Sequence, residues 1–164
     1  MFKVGIIGPE STGKSTLAYY LATKYGGVMV PEYARGYMEH LAPSYEYTYD
    51  DVVKIAQHQV RELHELCSDA ANDLLHGREK IAFFDTELII TKVWFLHKFG
   101  VCPPFVQQAL EEYPMDVYLL CYPDLAWEPD PVRENPTIRE YLFDWYEREI
   151  QALNIPYYIV RHNL

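Results

Sequence analysis

Gly8-Pro9-Glu10-Ser11-Thr12-Gly13-Lys14-Ser15-Thr16 follows at once on the apolar run Phe2–Ile7 and leads into a segment with Leu17, Ala18, Leu21 and Ala22 on one side. An apolar run of six residues reads as a buried strand, and the spacing from Ser15 to Tyr25 reads as a helix stopped by Gly26-Gly27. The turn between them fits G-x-x-x-x-G-K-[ST] in the context the motif requires, a strand before and a helix after. Gly8 and Gly13 permit a backbone that other residues resist, so successive N–H groups can wrap a phosphate at a helix N-terminus. Glu10, Ser11, Thr12 and Thr16 complete the candidate nucleotide cradle. Lys14 is placed to reach the β and γ phosphates, and the Ser15 hydroxyl to ligate magnesium.

Outward from this loop the chain alternates. Val28–Val30 is a short second strand ended by Pro31, and Asp50 to about Leu75 is a long helix with Val53, Ala56, Val60, Leu63, Cys67, Ala70 and Leu74 recurring every three or four residues, closed by Gly77. Ile81–Phe84 is a third strand ending at Asp85. Helical stretches near Leu88–Lys98 and Pro104–Glu112 precede a fourth strand, Val117–Cys121. The segment from Tyr122 to Pro136, with Pro123, Pro129 and Pro131, reads as an irregular loop, and a lid-like segment spans about 122–140. Ile138–Leu153 reads as an amphipathic helix and Tyr157–Val160 as a last strand. Short apolar strands separated by helices predict an α/β fold: a three-layer P-loop NTPase arrangement, its five-stranded and mainly parallel sheet carrying helices on both faces. Ligands of such sheets sit at the carboxyl ends of the strands, which gathers the phosphate loop, Glu32-Tyr33-Ala34-Arg35, Asp85-Thr86-Glu87 and the 122–140 loop on one rim.

Composition narrows the function classes. The 164 residues suit a single domain, are 49% hydrophobic and 23% charged, and contain no apolar run near the roughly 20 residues of a membrane span. A formal charge of -10 disfavours a nucleic-acid partner, which calls for a basic face. The chain runs straight into a strand without a signal-like segment, and Cys67, Cys102 and Cys121 form no C-x-x-C pair, so the expected setting is the cytoplasm with small buried thiols. The six histidines show no zincin spacing, and the 15 tyrosines indicate nothing specific.

With the loop identified, the other rim residues acquire candidate roles. Asp85 ends its strand where a carboxylate can organise magnesium or accept a hydroxyl proton. Glu32 and Arg35, flanking Tyr33, can hold a polar acceptor opposite the γ phosphate; a local ion pair on a solvated loop is the plainer alternative. Arg133 and Arg139 can close over a triphosphate and stabilise transferring charge. A guanine-reading Asn-Lys-x-Asp is missing, and Asp85-Thr86-Glu87-Leu88 lacks the glycine of a D-x-x-G switch. A small-molecule kinase using ATP and Mg2+ is the expected class, with a partner-dependent P-loop ATPase or regulatory nucleotide binder as the alternative.

At these residues the sequence resembles a known group. The phosphate loop, Glu32-Tyr33-Ala34-Arg35, Asp85-Thr86-Glu87 and the Tyr118–Arg133 run with Trp127, Asp130 and Arg133 look like the ribosylnicotinamide kinase domain of the bacterial NadR proteins, over nearly the whole chain. The resemblance implies transfer of the ATP γ phosphate to the 5'-hydroxyl of nicotinamide riboside, giving nicotinamide mononucleotide. It implies that Asp85 is base or magnesium organiser, that Glu32, Tyr33, Arg35 and Trp127 face the riboside, and that Arg133 and Arg139 belong to the lid. A different nucleoside or a vitamin is the other acceptor class it leaves open.

Overall fold

Side chains alternate along a strand, and here both sets are apolar. In β1 (Phe2–Ile7), Val4 and Ile6 face one side and Ile7 the other; in β3 (Ile81–Asp85), Phe83 is opposed by Ala82 and Phe84. A sheet apolar on both faces must be covered on both. The computed structural model, which describes residues 1–75 and 79–162 with the side chains of 72–75 left aside, meets this with three layers. The helix α1 (Lys14–Tyr25) covers one face through Ala18 and Ala22, whose small side chains let it lie close to Val4, Ile6, Phe83 and Cys121. On the other face α3 (Tyr49–Leu75), α4 (Leu88–Phe99), α5 (Pro104–Glu112) and α6 (Arg139–Ala152) enclose the larger core, with Val52, Ala56, Phe95, Val106 and Ile150 buried among Ile7, Phe84 and Leu120.

The five strands, with β2 (Val28–Val30), β4 (Val117–Cys121) and β5 (Tyr157–Val160), run in the order β2-β3-β1-β4-β5, and every pairing is parallel. Ile6 pairs with Asp85 on one side and Leu119 on the other, so β1 is central. The chain leaves β1 toward the β2 edge and later crosses from β3 to β4 on the opposite side. That reversal opens a crevice beyond the carboxyl end of β1, where the phosphate loop emerges. No described helix is long and apolar enough to cross a membrane.

The strands and most helices lie where the sequence pattern puts them. One element differs: Glu32-Tyr33-Ala34-Arg35 is not a loop but opens the helix α2 (Tyr33–Glu39), with Glu32 as its N-cap residue. Seven residues are too few to show a helical period, and only Ala34 is buried. The expected stop of α3 at Gly77 lies outside the described residues. Of the three cysteines only Cys121 is buried; Cys67 and Cys102 are half-buried, and all three are free thiols.

Two details of the central strands fix the rim above them. A Cβ on Gly5 would lie 2.6 Å from the ring of Tyr118 on β4, so the glycine makes room for an aromatic side chain that is 1% exposed. Above that ring sits Glu87, the N-cap of α4, which is 3% exposed and accepts a hydrogen bond from the Ile89 N–H at 2.8 Å. Burial raises the Glu87 carboxyl to about 7, against the N–H groups of Ile89 and Leu88 and the Tyr118 hydroxyl, which all favour its anion.

Two outcomes follow for stability. Gly5→Ala forces the Tyr118 ring from its place and should destabilise by roughly 1–3 kcal/mol, read as a lower denaturant midpoint; an unchanged midpoint would mean that the ring yields freely. Glu87 binds its proton more tightly when folded than the 4.5 of the free side chain, so its contribution is complete below that pH and is lost as pH rises through about 7. Glu87→Gln, which keeps the acceptor oxygen, should therefore exceed the parent at pH ~8 by something on the order of 3 kcal/mol and converge with it at pH ~4. A gap that does not change with pH would show that folding leaves the Glu87 carboxyl at its ordinary value.

Candidate active site

The phosphate loop takes its shape from three positive-φ residues, Gly8 at 152°, Ser11 at 56° and Gly13 at 74°. At Gly8 the conformation is matched by crowding: a Cβ there would stand 2.6 Å from the Cys121 carbonyl oxygen at the end of β4. Gly13 is the N-cap of α1, makes no side-chain cap bond, and no acidic residue occupies the first turn. The N–H groups that open α1 are therefore available to an anion. The Thr12 hydroxyl is turned inward, donating to the Pro9 carbonyl at 2.8 Å, so this residue holds the loop. The Lys14 ammonium donates to the same carbonyl at 2.8 Å. Burial lowers its pKa, while the charges of Glu32, Cys121, Asp85 and Glu10 act to restore it.

Asp85 and Thr86 stand beside this loop at the end of β3. Asp85 is 2% exposed, and its Oδ1 has no hydrogen-bond partner among the described residues; the Thr86 hydroxyl is the other buried side-chain oxygen in that condition. Thr86 has φ 69°, a left-handed conformation that costs a β-branched residue roughly 1–3 kcal/mol. Its N–H donates to the Ile6 carbonyl at 3.0 Å, which pins the turn to β1. Glu32 faces the same space: burial raises its carboxyl above the usual range, with Asp85 adding to the effect and Lys14 and Arg35 opposing it. The Arg35 guanidinium lies 3.6 Å from Glu32, 3.8 Å from Glu39 and 2.9 Å from Asp130. The local Glu32–Arg35 ion pair, the plainer alternative for these residues, is thus present, and Arg35 also ties α2 to the loop after β4.

That loop is fastened across the phosphate loop. The Ser11 hydroxyl and the backbone of Glu128 exchange hydrogen bonds of 3.2–3.3 Å. The Glu10 carboxylate accepts from the N–H of Glu134 at 3.0 Å and of Asn135 at 2.9 Å. Arg139 donates to the carbonyls of Glu10 and Ser11 at 3.5 and 3.4 Å. Arg133 turns back on its own loop, donating to the Glu128 carbonyl. Glu10 and Ser11 are therefore spent partly on holding this segment, Arg139 lies on the phosphate loop, and Arg133 does not reach it in this state.

Between the phosphate loop, α2, α4 and the start of α6 lies a cavity of 320 Å³. Gly8, Glu10, Lys14, Glu32, Arg35 and Thr86 make its polar end. Its far end is built from residues that sequence reading passed over. Trp94 donates from its indole N–H to the Tyr47 hydroxyl at 2.9 Å, and that hydroxyl donates to Glu134 at 2.7 Å. Lys98 stands 3.7 Å above the Tyr47 ring and 3.5 Å from Glu134. His97 and Tyr146 also line the cavity. Trp127 and Tyr33 do not. Trp127 is half-buried on the loop after β4, and the Tyr33 ring stacks on His58 at 3.5 Å between centroids. A helical spacing of Ile90, Thr91, Trp94, His97 and Lys98 was the available signal for the α4 wall.

Whether a magnesium nucleotide suits these residues is a matter of donor chemistry. Magnesium takes hard oxygen ligands, usually one or two from the protein beside those of the phosphates. The exposed Ser15 hydroxyl in the first turn of α1 and the unpartnered Asp85 Oδ1 are such a pair, and the cradle leaves no room for a side chain at Gly8. The residues fit the group. No cluster of three or more acidic, histidine or cysteine side chains that would bind a metal without a nucleotide occurs among the described residues.

Similarity to known proteins agrees with this geometry. Residues 3–164 match the family described as an AAA domain. The "Trifunctional NAD biosynthesis/regulator protein NadR" of Escherichia coli (strain K12) is 33% identical over 132 residues, 79% of this chain and 30% of that protein, and its Salmonella typhimurium counterpart aligns equally well. The chain thus spans less than a third of the curated relatives it matches. In solved structures, a NadR protein in complex with NR superposes with a TM-score of 0.72 at 23% identity, over 96% of this chain and 43% of that one. Thymidylate kinase from Ehrlichia chaffeensis gives 0.64 at 12% identity over 99% and 88%. The fold is that of the P-loop kinases, and the chain belongs to the AAA-domain family of P-loop proteins, with similarity to NadR.

Proposed function

We propose that the chain is an ATP-dependent kinase of a small hydroxyl-bearing acceptor, and that the acceptor is nicotinamide riboside, phosphorylated at its 5'-hydroxyl to nicotinamide mononucleotide. The observation that carries the reading is the 320 Å³ cavity opening directly from the phosphate loop and lined by Lys14 and Glu32, a space suited to one small molecule rather than to a protein surface. Similarity to the NadR proteins, one of which is known in complex with NR, supports this acceptor.

In this reading the N–H groups of the loop hold the β phosphate, and Lys14 leaves the Pro9 carbonyl for the β and γ phosphates. Ser15 and Asp85 hold magnesium, which neutralises charge on the phosphate oxygens when bound. Glu32 lines the cavity and Asp85 does not, so Glu32 is the carboxylate that meets the acceptor hydroxyl. The hydroxyl oxygen attacks the γ phosphorus in line as the bond to the bridging oxygen breaks; ADP leaves, and Glu32 takes the proton. Arg139 already lies at the phosphate loop, and Arg133 joins it only by leaving the Glu128 carbonyl. Trp94 and Tyr47 supply the flat walls of the acceptor pocket.

ADP release from MgATP should rise about tenfold or more with nicotinamide riboside over an acceptor-free control, in a panel of nucleosides and vitamins. Release indifferent to every acceptor would transfer the assignment to an ATPase. Lys14→Ala should abolish the acceptor-dependent release while leaving the melting curve in place. Arg35→Ala should raise the acceptor KM more than that of ATP. Because burial raises the Glu32 carboxyl, kcat/KM should fall with acid above the ordinary carboxylate range, and Glu32→Gln should remove that limb; a parent profile flat down to pH ~4 would exclude Glu32 as the base.

A further inference from the structure

Thr86 combines three properties that folding alone does not require. Its backbone is left-handed at φ 69°, a conformation that glycine or asparagine adopts at less cost. It is 9% exposed, yet its hydroxyl has no partner among the described residues, so it neither caps α4 nor closes a turn. Glu87 performs the capping instead, through the Ile89 N–H. Finally, Thr86 lines the cavity at the end where Lys14 and Glu32 stand, directly after Asp85.

A strained turn and an unpaired buried hydroxyl are both unfavourable in the free protein. Each becomes intelligible if a ligand completes the hydrogen bond. We infer that Thr86 is an acceptor-binding residue, whose hydroxyl pairs with a hydroxyl of the acceptor's sugar and holds it beside Glu32. Thr86 stands in the wall of the cavity, and its N–H bond to the Ile6 carbonyl ties that wall to the strand carrying the phosphate loop. Thr91 has no such part, since its hydroxyl is already donated to Gln59 at 2.7 Å. This inference rests on the kinase reading and adds to it a residue that selects hydroxylated acceptors.

The test is binding of nicotinamide riboside to the full chain by titration calorimetry, with a non-hydrolysable ATP analogue present, alongside steady-state kinetics and melting curves. Thr86→Val keeps the shape and removes the hydroxyl; it should weaken riboside binding and raise the acceptor KM by roughly tenfold, leave the ATP KM within about twofold, and melt no lower than the parent. Thr86→Ser should keep most of the affinity. Thr86→Gly relieves the backbone strain, so it should fold well while losing acceptor affinity as Val does, which keeps the test open if the valine variant folds poorly. Riboside affinity within about twofold of the parent in the Val or Gly variant would overturn the inference and leave the kinase reading standing. A parent chain that binds the nucleotide analogue but not the riboside would overturn the riboside reading and this inference with it.

Discussion

The approach of Gly8 to the Cys121 carbonyl governs the whole rim. A Cβ at that position would stand 2.6 Å from the oxygen, so only glycine lets the chain leaving β1 turn across the end of β4. That turn carries the next residues over the carboxyl edge of the sheet and starts α1 with its N–H groups pointing into the crevice. The elements flanking β1 then deliver their own residues to the same point, Asp85 and Thr86 from β3 and the 122–138 loop from β4. A parallel sheet makes this convergence unavoidable, because every strand ends on the same side. Burial makes it costly, since Lys14, Glu32 and Asp85 share a space in which desolvation lowers the Lys14 ammonium and raises the Glu32 carboxyl from their ordinary values.

The parts legible in the sequence are those written in consecutive residues. The phosphate loop was readable because motif, preceding strand and following helix are contiguous. Asp85 was readable because an apolar strand ends on it. The sheet was readable because strands buried on both faces are continuously apolar, which separates them from amphipathic α3 and α6. Tyr47, Trp94, His97, Lys98 and Tyr146 were not, because three distant segments meet only when α4 and α6 pack on the sheet. Their types are common in ordinary cores, so composition carries no flag for them. Trp127 shows the converse: a tryptophan in a suggestive loop sits outside the cavity, while the one on an unremarkable helix closes it. The strain at Thr86 was likewise invisible, since threonine does not announce a left-handed backbone as glycine does.

The loop after β4, read from its prolines as irregular and lid-like, is fastened in this structure by Glu10, Ser11, Arg35 and Arg139. Most of these bonds involve backbone groups, so the fastening depends on the path of the loop more than on its side chains. Arg133, folded on its own loop, is the cation left outside this arrangement.

Glu134 joins the two halves of the site. Its N–H is donated to Glu10 in the phosphate loop, while its carboxylate accepts from Tyr47 and pairs with Lys98 at the far wall of the cavity. One residue is thus shared by the phosphate-loop end and the aromatic end of the cavity. Anything that displaces its backbone at one end changes the footing of its side chain at the other. Thermodynamic linkage makes such a tie symmetric: whatever factor the first ligand imposes on the affinity of the second, the second returns to the first. If the proposed kinase reading holds, Glu134 is the residue through which the affinities for the two substrates would be coupled.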